Sequence, residues 1–492
     1  MVIRTTVWGG ILLLAGGCAS APDPAPEVVQ TQYNVQLAAG SYETGEAATL
    51  PVEDYLDGAH PVGFYVQLAL ERNPELLAAQ HGVAANAEVI PQVTALDDPM
   101  LADTFMPIDD HSVQTAAGRG PNTLSLSQRF PWFGKLRVRG EVAEQETQMA
   151  LTRLAQAQLK VTEDVYLAYY ELYFNQRAIE ITESDKVILE DLLKFAEARY
   201  RTGEASQQDV LRAQVELEQL EDRLITLRRQ FQQSQADLAK ILHTSPETNL
   251  KAADLDVPSA PEEIDQLYEA AIRCRPELQE RLYAIVRDER LGELARLQYY
   301  PDVTLGVGWQ AITADAALSG VANGNDNVAF GIGVNLPIWR DKLRAGVSEA
   351  EHRVVESARR YDATRDDTFR LIKRLMVQVR AIEQQITLFR ESIIPKAEQT
   401  LRVSTADYRV GKVDFQTIND NWSDLLMFQI QLVRFEASLG QTLASLERVV
   451  GCQLVALPDA GVARVSPESS VVPPAPLPAE TPDNLDEFSS EE

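Results

Sequence analysis

The strongest constraint on this chain is a bend that occurs twice. The stretch Tyr200-Arg201-Thr202-Gly203-Glu204-Ala205-Ser206 interrupts one long helical pattern and starts another, and Tyr408-Arg409-Val410-Gly411-Lys412-Val413 does the same further on. Glycine adopts left-handed backbone without a Cβ clash, so each glycine is expected to close a helical hairpin. The patterns leading into the bends cover residues 138–200 and 343–406. At ~1.5 Å per residue each would approach ~90 Å if unbroken. An ordinary globular core does not reach that far, which points to a coiled coil or a fibrous tunnel. The return helices carry apolar seams, Leu217, Leu220, Leu224, Leu227 and Phe231 in the first, Phe428, Leu432, Phe435, Leu439 and Leu446 in the second. Their heptad-like steps of three and four serve packing of helix on helix.

The duplication extends upstream. Ala69-Leu70-Glu71-Arg72-Asn73-Pro74-Glu75-Leu76 matches Ala271-Ile272-Arg273-Cys274-Arg275-Pro276-Glu277-Leu278, and in both the residue before proline is pushed out of helical geometry. Residues 61–95 read as helix, with Phe64, Leu68, Ala69 and Leu76 inward. Segments 99–107, 122–130, 301–311 and 327–336 read as strands. In the second pair, Val303, Leu305, Val307 and Trp309 alternate with Thr304, Gly306, Gly308 and Gln310, while Val328, Phe330, Ile332, Val334 and Leu336 alternate with Ala329, Gly331, Gly333 and Asn335. One apolar and one small or polar face on a strand of ~10 residues fits a soluble sandwich hairpin or a membrane barrel. Each strand pair ends at a corner, Phe130-Pro131-Trp132-Phe133-Gly134-Lys135 and Leu336-Pro337-Ile338-Trp339. Proline ends a ladder, and the aromatics suit a membrane interface.

The flanks favour the membrane reading of the strands. Arg4, the apolar run from Val7 to Leu14 and the small residues Ala15-Gly16-Gly17 make residues 1–17 a secretory signal, its apolar core too short to span a bilayer. Residues 18–60, with Pro22, Pro24, Pro26 and Pro51, read as an extended strap, 244–261 as a linker between the copies, and 453–492 as a disordered acidic, proline-rich tail. Cys274 and Cys452 are expected to be two separate buried thiols rather than a disulfide.

No catalytic chemistry emerges. The histidines His60, His81, His111, His243 and His352 lack metal-ligand spacing, and no glycine-rich phosphate loop follows a strand. Glu163-Asp164 and Asp366-Asp367 read as solvated helix faces. No catalytic residue, metal site or cofactor is expected. A net charge of −28 argues against a nucleic-acid partner.

The order helix, strand, strand, long helix, glycine turn, long helix, present at 61–243 and again at 262–452, resembles the TolC-like outer-membrane efflux protein family. Cys18 after small residues resembles the lipobox of its lipoprotein members, departing from it where Ala15 replaces the usual leucine. The resemblance implies a mainly α fold with a membrane β-barrel portion. Three protomers would each give four strands to a twelve-stranded barrel, continued by a long α-helical tunnel in the periplasm. It implies a passive exit duct of a tripartite efflux system for drugs or metal cations, anchored through Cys18 in outer-membrane lipid. Partners would be a periplasmic adaptor and an inner-membrane pump of the resistance-nodulation-division type. The adaptor would dock at Arg201, Gly203, Glu204, Ala205, Ser206, Arg409, Val410, Gly411, Lys412 and Val413. Two family gate positions fall on Thr417 and Asp420, where Asp420 alone keeps an acid that could ring the pore; a solvated aspartate beside Asn419 and Asn421 is the other reading. Two rivals stand beside the efflux duct: an exit duct for type I protein secretion, and a soluble periplasmic coiled-coil adaptor or scaffold, which needs no membrane strands.

Overall fold

The computed structural model describes residues 52–105, 113–115, 118–253, 263–313 and 325–452. The signal 1–17, Cys18, His111 and the tail 453–492 lie outside the described residues.

The two expected hairpins dominate the fold. Helix α4, Lys135–Thr202, runs 68 residues into the first bend, and α5, Gln207–Ile241, returns from it. No proline interrupts α4, and its glycine at 140 lies inward, where a Cβ would meet Thr94 Cγ2 at 2.7 Å. The second copy is less regular. Helix α8, Arg340–Leu388, passes through a π turn, Phe389–Ile393, before α9, Ile394–Arg409, reaches the second bend and α10, Phe415–Val450, returns. Pro395 accounts for the difference. It has no N–H to donate and its ring presses on the carbonyl four residues back. The chain accommodates one extra residue, so that the Ile394 amide reaches Phe389 O. Val187 stands at the corresponding place in the first copy, and α4 continues there.

Upstream of α4, the expected helix 61–95 is three helices, α1 Val62–Arg72, α2 Pro74–Ala87 and α3 Val89–Thr94. Asn73 makes the first break. Its Oδ1 accepts from the Glu75 amide at 2.9 Å and its Nδ2 donates to Ile241 O at 3.0 Å, which ties the break to the end of α5. The second copy has α6, Ile264–Cys274, and α7, Pro276–Leu297, with Arg275 donating to Thr368 Oγ1 at 3.0 Å instead.

The described ends of the strap and linker, residues 52–60 and 244–253, join the first copy. Strand β1, Gly58–His60, pairs in parallel with β5, Leu250–Ala252. Tyr65 and Tyr169, both fully buried, clamp the pair through Lys251 O and His60 O at 3.0 and 3.1 Å. The core beneath contains Leu172, Leu189, Leu238, Trp422 and Ala437. Of the first seam, Leu220, Leu224 and Leu227 are buried; of the second, Leu439 and Leu446 are. Gly440 lets α10 cross α4, since a Cβ there would strike the Tyr170 ring at 2.2 Å.

Two expectations are corrected. Glu163 is buried, not solvated, because α10 packs over it and Arg448 donates to it at 2.6 Å. Cys274 and Cys452 are joined as a disulfide, with Cα atoms 5.8 Å apart across 178 residues of sequence. The neighbouring glycine explains the approach. Gly451 has φ 83°, and a Cβ on it would lie 2.7 Å from Arg275 Cα, so the end of α10 can lie directly against the α6–α7 break. Closing so long a loop constrains the unfolded chain. Cys452→Ser is expected to lower stability by ~2–5 kcal/mol, read as a fall in thermal midpoint that matches dithiothreitol treatment of the parent. A midpoint for Cys452→Ser equal to that of the untreated parent would contradict it.

Candidate functional site

Three places carry the functional expectations: a sheet at one end of the hairpins, the bends at the other, and the corner where sheet meets helices.

The sheet has strands β2 Met100–Phe105, β4 Gly118–Phe130, β6 Val303–Thr313 and β7 Asn327–Val334 in that order, antiparallel throughout, with a short β3, Val113–Thr115, on β4. Its expected boundaries hold within a few residues. Register places Leu101 beside Leu126, Leu126 beside Val307 and Val307 beside Phe330; one pleat over, Leu124, Trp309 and Val328 share that face. The intervening rows bring Ser127, Gly306 and Gly331 together, then Ser125, Gly308 and Ala329. Thus one face is mainly apolar and the other small or polar across β4, β6 and β7, with Gln128 the polar interruption on the apolar face; in β2 the pattern is mixed, Asp103 standing beside Leu124 and Met100 beside Ser127. Among the described residues no helix packs over the sheet, and Phe330 is 85 % and Ile332 76 % exposed. Edge strands β2 and β7 each pair on one side within the chain. Such a sheet needs an apolar medium on one face and strand partners at both edges. Among the described residues, no helix is long and apolar enough to cross a membrane.

At the corner, Asp302 joins both copies. Its Oδ1 accepts from Lys135 Nζ at 2.7 Å and from the Trp132 amide at 3.0 Å, and Oδ2 accepts from Arg129. Lys135, 2 % exposed, also donates to Tyr300 O at 3.0 Å. The Asp302 amide in turn donates to Asn335 Oδ1. Burial alone would raise the Asp302 pKa, but the hydrogen bonds from Lys135, Arg129 and Trp132 outweigh it and hold the carboxyl down to about 2. Trp132 stacks on Tyr300 at 5.3 Å, while Phe133 and Trp339 stand outward, 87 % and 73 % exposed. Sequence reading named this corner for its aromatics and missed Asp302, which lies just ahead of β6 with nothing in its spacing to mark it.

The bends share one backbone design. Gly203 and Gly411 have φ 79° and 75°. In the first, the Gly203 and Glu204 amides donate to Tyr200 O and Arg199 O at 3.0 and 2.9 Å; in the second, the Gly411 and Lys412 amides donate to Tyr408 O and Asp407 O at 3.0 and 2.9 Å. Three residues on, Ser206 and Asp414 cap the return helices by accepting from the Asp209 and Thr417 amides. Arg201, Gly203, Glu204, Ser206, Arg409, Val410, Gly411 and Lys412 are exposed; Ala205 and Val413 are half-buried. Beneath lie Leu192, Ala196, Ala213, Phe415 and Ile418, which join the hairpins in one apolar cluster.

Within this frame the copies diverge. Tyr200 is half exposed, whereas its counterpart Tyr408 is buried against Phe195 and Phe415. Arg199 explains this asymmetry. Its guanidinium lies 4.7 Å over the Tyr408 ring and donates to Tyr408 O and, at 3.2 Å, to Glu204 O, so one side chain holds both bends. A basic residue in a helix's last turn was legible as a dipole partner; its reach to the other hairpin was not.

The two gate candidates separate. Thr417 donates its hydroxyl to Asp414 at 2.6 Å and is part of the cap; this hydroxyl and the Thr417 amide hold the Asp414 carboxyl below the usual range. Asp420 is exposed one turn later and accepts from Gln416 at 2.6 Å, and Gln416 accepts from Arg212 of the other hairpin. Asn419 is instead buried and donates to Glu216 at 3.2 Å, and Asn421 donates to Ser404 at 3.1 Å. Asp420 is thus an exposed carboxylate between two asparagines that are engaged elsewhere.

A model of the outer membrane efflux protein family matches residues 65–243 and 267–452, the two copies. The chain is 22 % identical over 392 residues to the cobalt-zinc-cadmium resistance protein CzcC of Cupriavidus metallidurans, covering 78 % of this chain and 88 % of that one. It is 22 % identical over 405 residues to the outer membrane efflux protein BepC of Brucella suis biovar 1, covering 81 % and 85 %. Crystal structures of CusC superpose with TM-score 0.68 at 17 % identity, over 81 % of this chain and 93 % of that chain. The outer membrane protein VceC from Vibrio cholerae gives 0.66 at 20 % identity, over 80 % and 97 %. The fold is theirs, and the soluble scaffold, which expected no membrane strands, is set aside.

Proposed function

The chain belongs to the outer membrane efflux protein family, and on that premise we propose that it is the passive exit duct of a tripartite efflux system, carrying small molecules, drugs or metal cations, from the periplasm or an inner-membrane pump to the outside. The observation that carries this reading is the sheet, apolar on one face and open at both edges. Four strands cannot close a barrel, and an unpaired edge in lipid costs several kcal/mol per backbone group. Two further copies of the chain supply the missing strands, which makes the working unit a homotrimer. The small and polar face then lines the duct, and the exposed Phe133 and Trp339 sit at the lipid–water boundary. Cys18 carries the lipid anchor that holds the N-terminus to the outer membrane.

The exposed residues of the two bends are the docking surface for a periplasmic adaptor, which links the duct to a pump of the resistance-nodulation-division type. Asp420 supplies the acidic ring at the tunnel mouth; Thr417, committed to its cap, does not. Energy comes from the pump, and the duct performs no catalysis. A photo-crosslinking residue at Val410, 67 % exposed, is expected to capture the adaptor in intact cells. Capture from Leu388, part-way up the second hairpin, with none from Val410 or Ala205, would move docking away from the bends.

A further inference from the structure

Alongside the main core, α4, α9 and α10 border an open cleft of about 410 Å³. Ile181 and Ile188 of α4, Ile394 of α9, and Leu425 and Leu432 of α10 give it apolar walls. Ile394 is the first residue after the π turn, so the cleft lies where the second long helix loses its regular ladder.

One wall residue is out of keeping with the rest. Asp185 lines the cleft and is 3 % exposed. Its polar neighbour is the Trp422 indole, and no cation is paired with it among the described residues. The other charges facing the cleft are already matched. Arg177 of α4 donates to Glu180 at 2.6 Å, and Glu436 of α10 accepts from Arg390 at 2.6 Å. A carboxylate among isoleucines and leucines, without a counter-ion, lacks the partner that buried charges normally have. Burial pushes the Asp185 carboxyl up to about 6, against a smaller opposing contribution from Trp422, so it is mostly ionised at pH 7.5.

We propose that this cleft is a binding site for a monovalent organic cation, a protonated amine on a compact apolar body. The ammonium group would pair with Asp185 beside Trp422, and the body would lie against the isoleucine and leucine side chains. A metal ion does not fit the donor set, because hard cations take about six oxygen ligands, and Ser184 and Gln429 are the uncharged polar neighbours at hand besides Tyr173. The site is independent of the bends and of adaptor docking.

The test uses the purified full-length protein in amphipol, with 1-aminoadamantane as probe and 1-adamantanol as its neutral counterpart, measured by titration calorimetry. Wild type at pH 7.5 is expected to bind the amine at least ~10-fold more tightly than the alcohol, a difference of ~1.4 kcal/mol. Asp185→Asn removes this preference. Lowering the pH to 5 weakens amine binding by ~10-fold, as a carboxyl one unit below its pKa is about nine-tenths protonated. Ile188→Trp, at a half-exposed position, fills the cleft from its rim and blocks both probes. Thermal unfolding of each variant establishes that it is folded. Equal affinity for amine and alcohol, an unchanged preference in folded Asp185→Asn, or no binding to wild type would overturn the proposal.

Discussion

Gly411→Trp abolishes export while leaving the protein assembled in the outer membrane; this is the expected outcome of the most disruptive change available at the bends. A residue with a Cβ at φ 75° costs about 1–2 kcal/mol, within the reserve of a domain stable by ~5–15 kcal/mol. The bend is also remote from the sheet. The helical path from Arg340 to Arg409 covers 70 residues, roughly 100 Å at 1.5 Å per residue, so strand pairing is untouched. What the indole does is occupy the exposed end of the hairpin. It also displaces Arg199, since a Cβ at Gly411 would already lie 3.6 Å from its Nη2. At Gly203 a Cβ meets nothing within 4 Å, so Gly203→Trp should impair export less. The check pairs an export assay with heat-modifiable oligomers in the outer-membrane fraction. Normal export from Gly411→Trp would remove the second bend from the docking surface.

Asp302→Ala acts at the opposite end and on assembly rather than docking. Lys135 is 2 % exposed and would keep Tyr300 O as partner but lose the carboxylate. Removing one member of a buried ion pair costs ~3–5 kcal/mol, enough to use up much of a domain's reserve. Asp302 also holds the end of β4 through Arg129 and the start of α4 through Trp132 and Lys135. Its loss frees the joint on which the strand register of both copies depends. The expected result is a sharp drop in assembled outer-membrane oligomer, with partial recovery in Asp302→Asn combined with Lys135→Met, where no unpaired buried charge remains and only the half-exposed Arg129 loses its partner. Recovery is the informative arm: a site that merely needed volume would not respond to it.

The fold was largely legible because its determinants are local. Gly203 and Gly411 mark bends by backbone freedom, Asn73-Pro74 and Arg275-Pro276 mark breaks by sterics, and the β6 and β7 alternation marks a two-faced strand. What escaped sequence reading is what depends on two distant segments meeting. Arg199 reads as an ordinary helix-terminal cation until Tyr408 lies beneath it. Asp302 reads as a pre-strand turn residue until Lys135 is buried against it. The disulfide needed Gly451 to bring the end of α10 onto Arg275, and Glu163 read as surface because the helix covering it comes from the other copy. The same limit applied to the two gate candidates. Thr417 and Asp420, reached by counting from Gly411, lie on one helix, but the cap that engages the Thr417 hydroxyl is a matter of geometry.

The central claim is that the open sheet is one part of a barrel completed by further copies of this chain. Native mass spectrometry of protein extracted from the outer-membrane fraction tests it most directly, alongside conductance in planar bilayers. The account predicts a complex of three identical chains that forms ion-conducting pores. A single chain recovered from the soluble periplasm, with no pore activity, would contradict it.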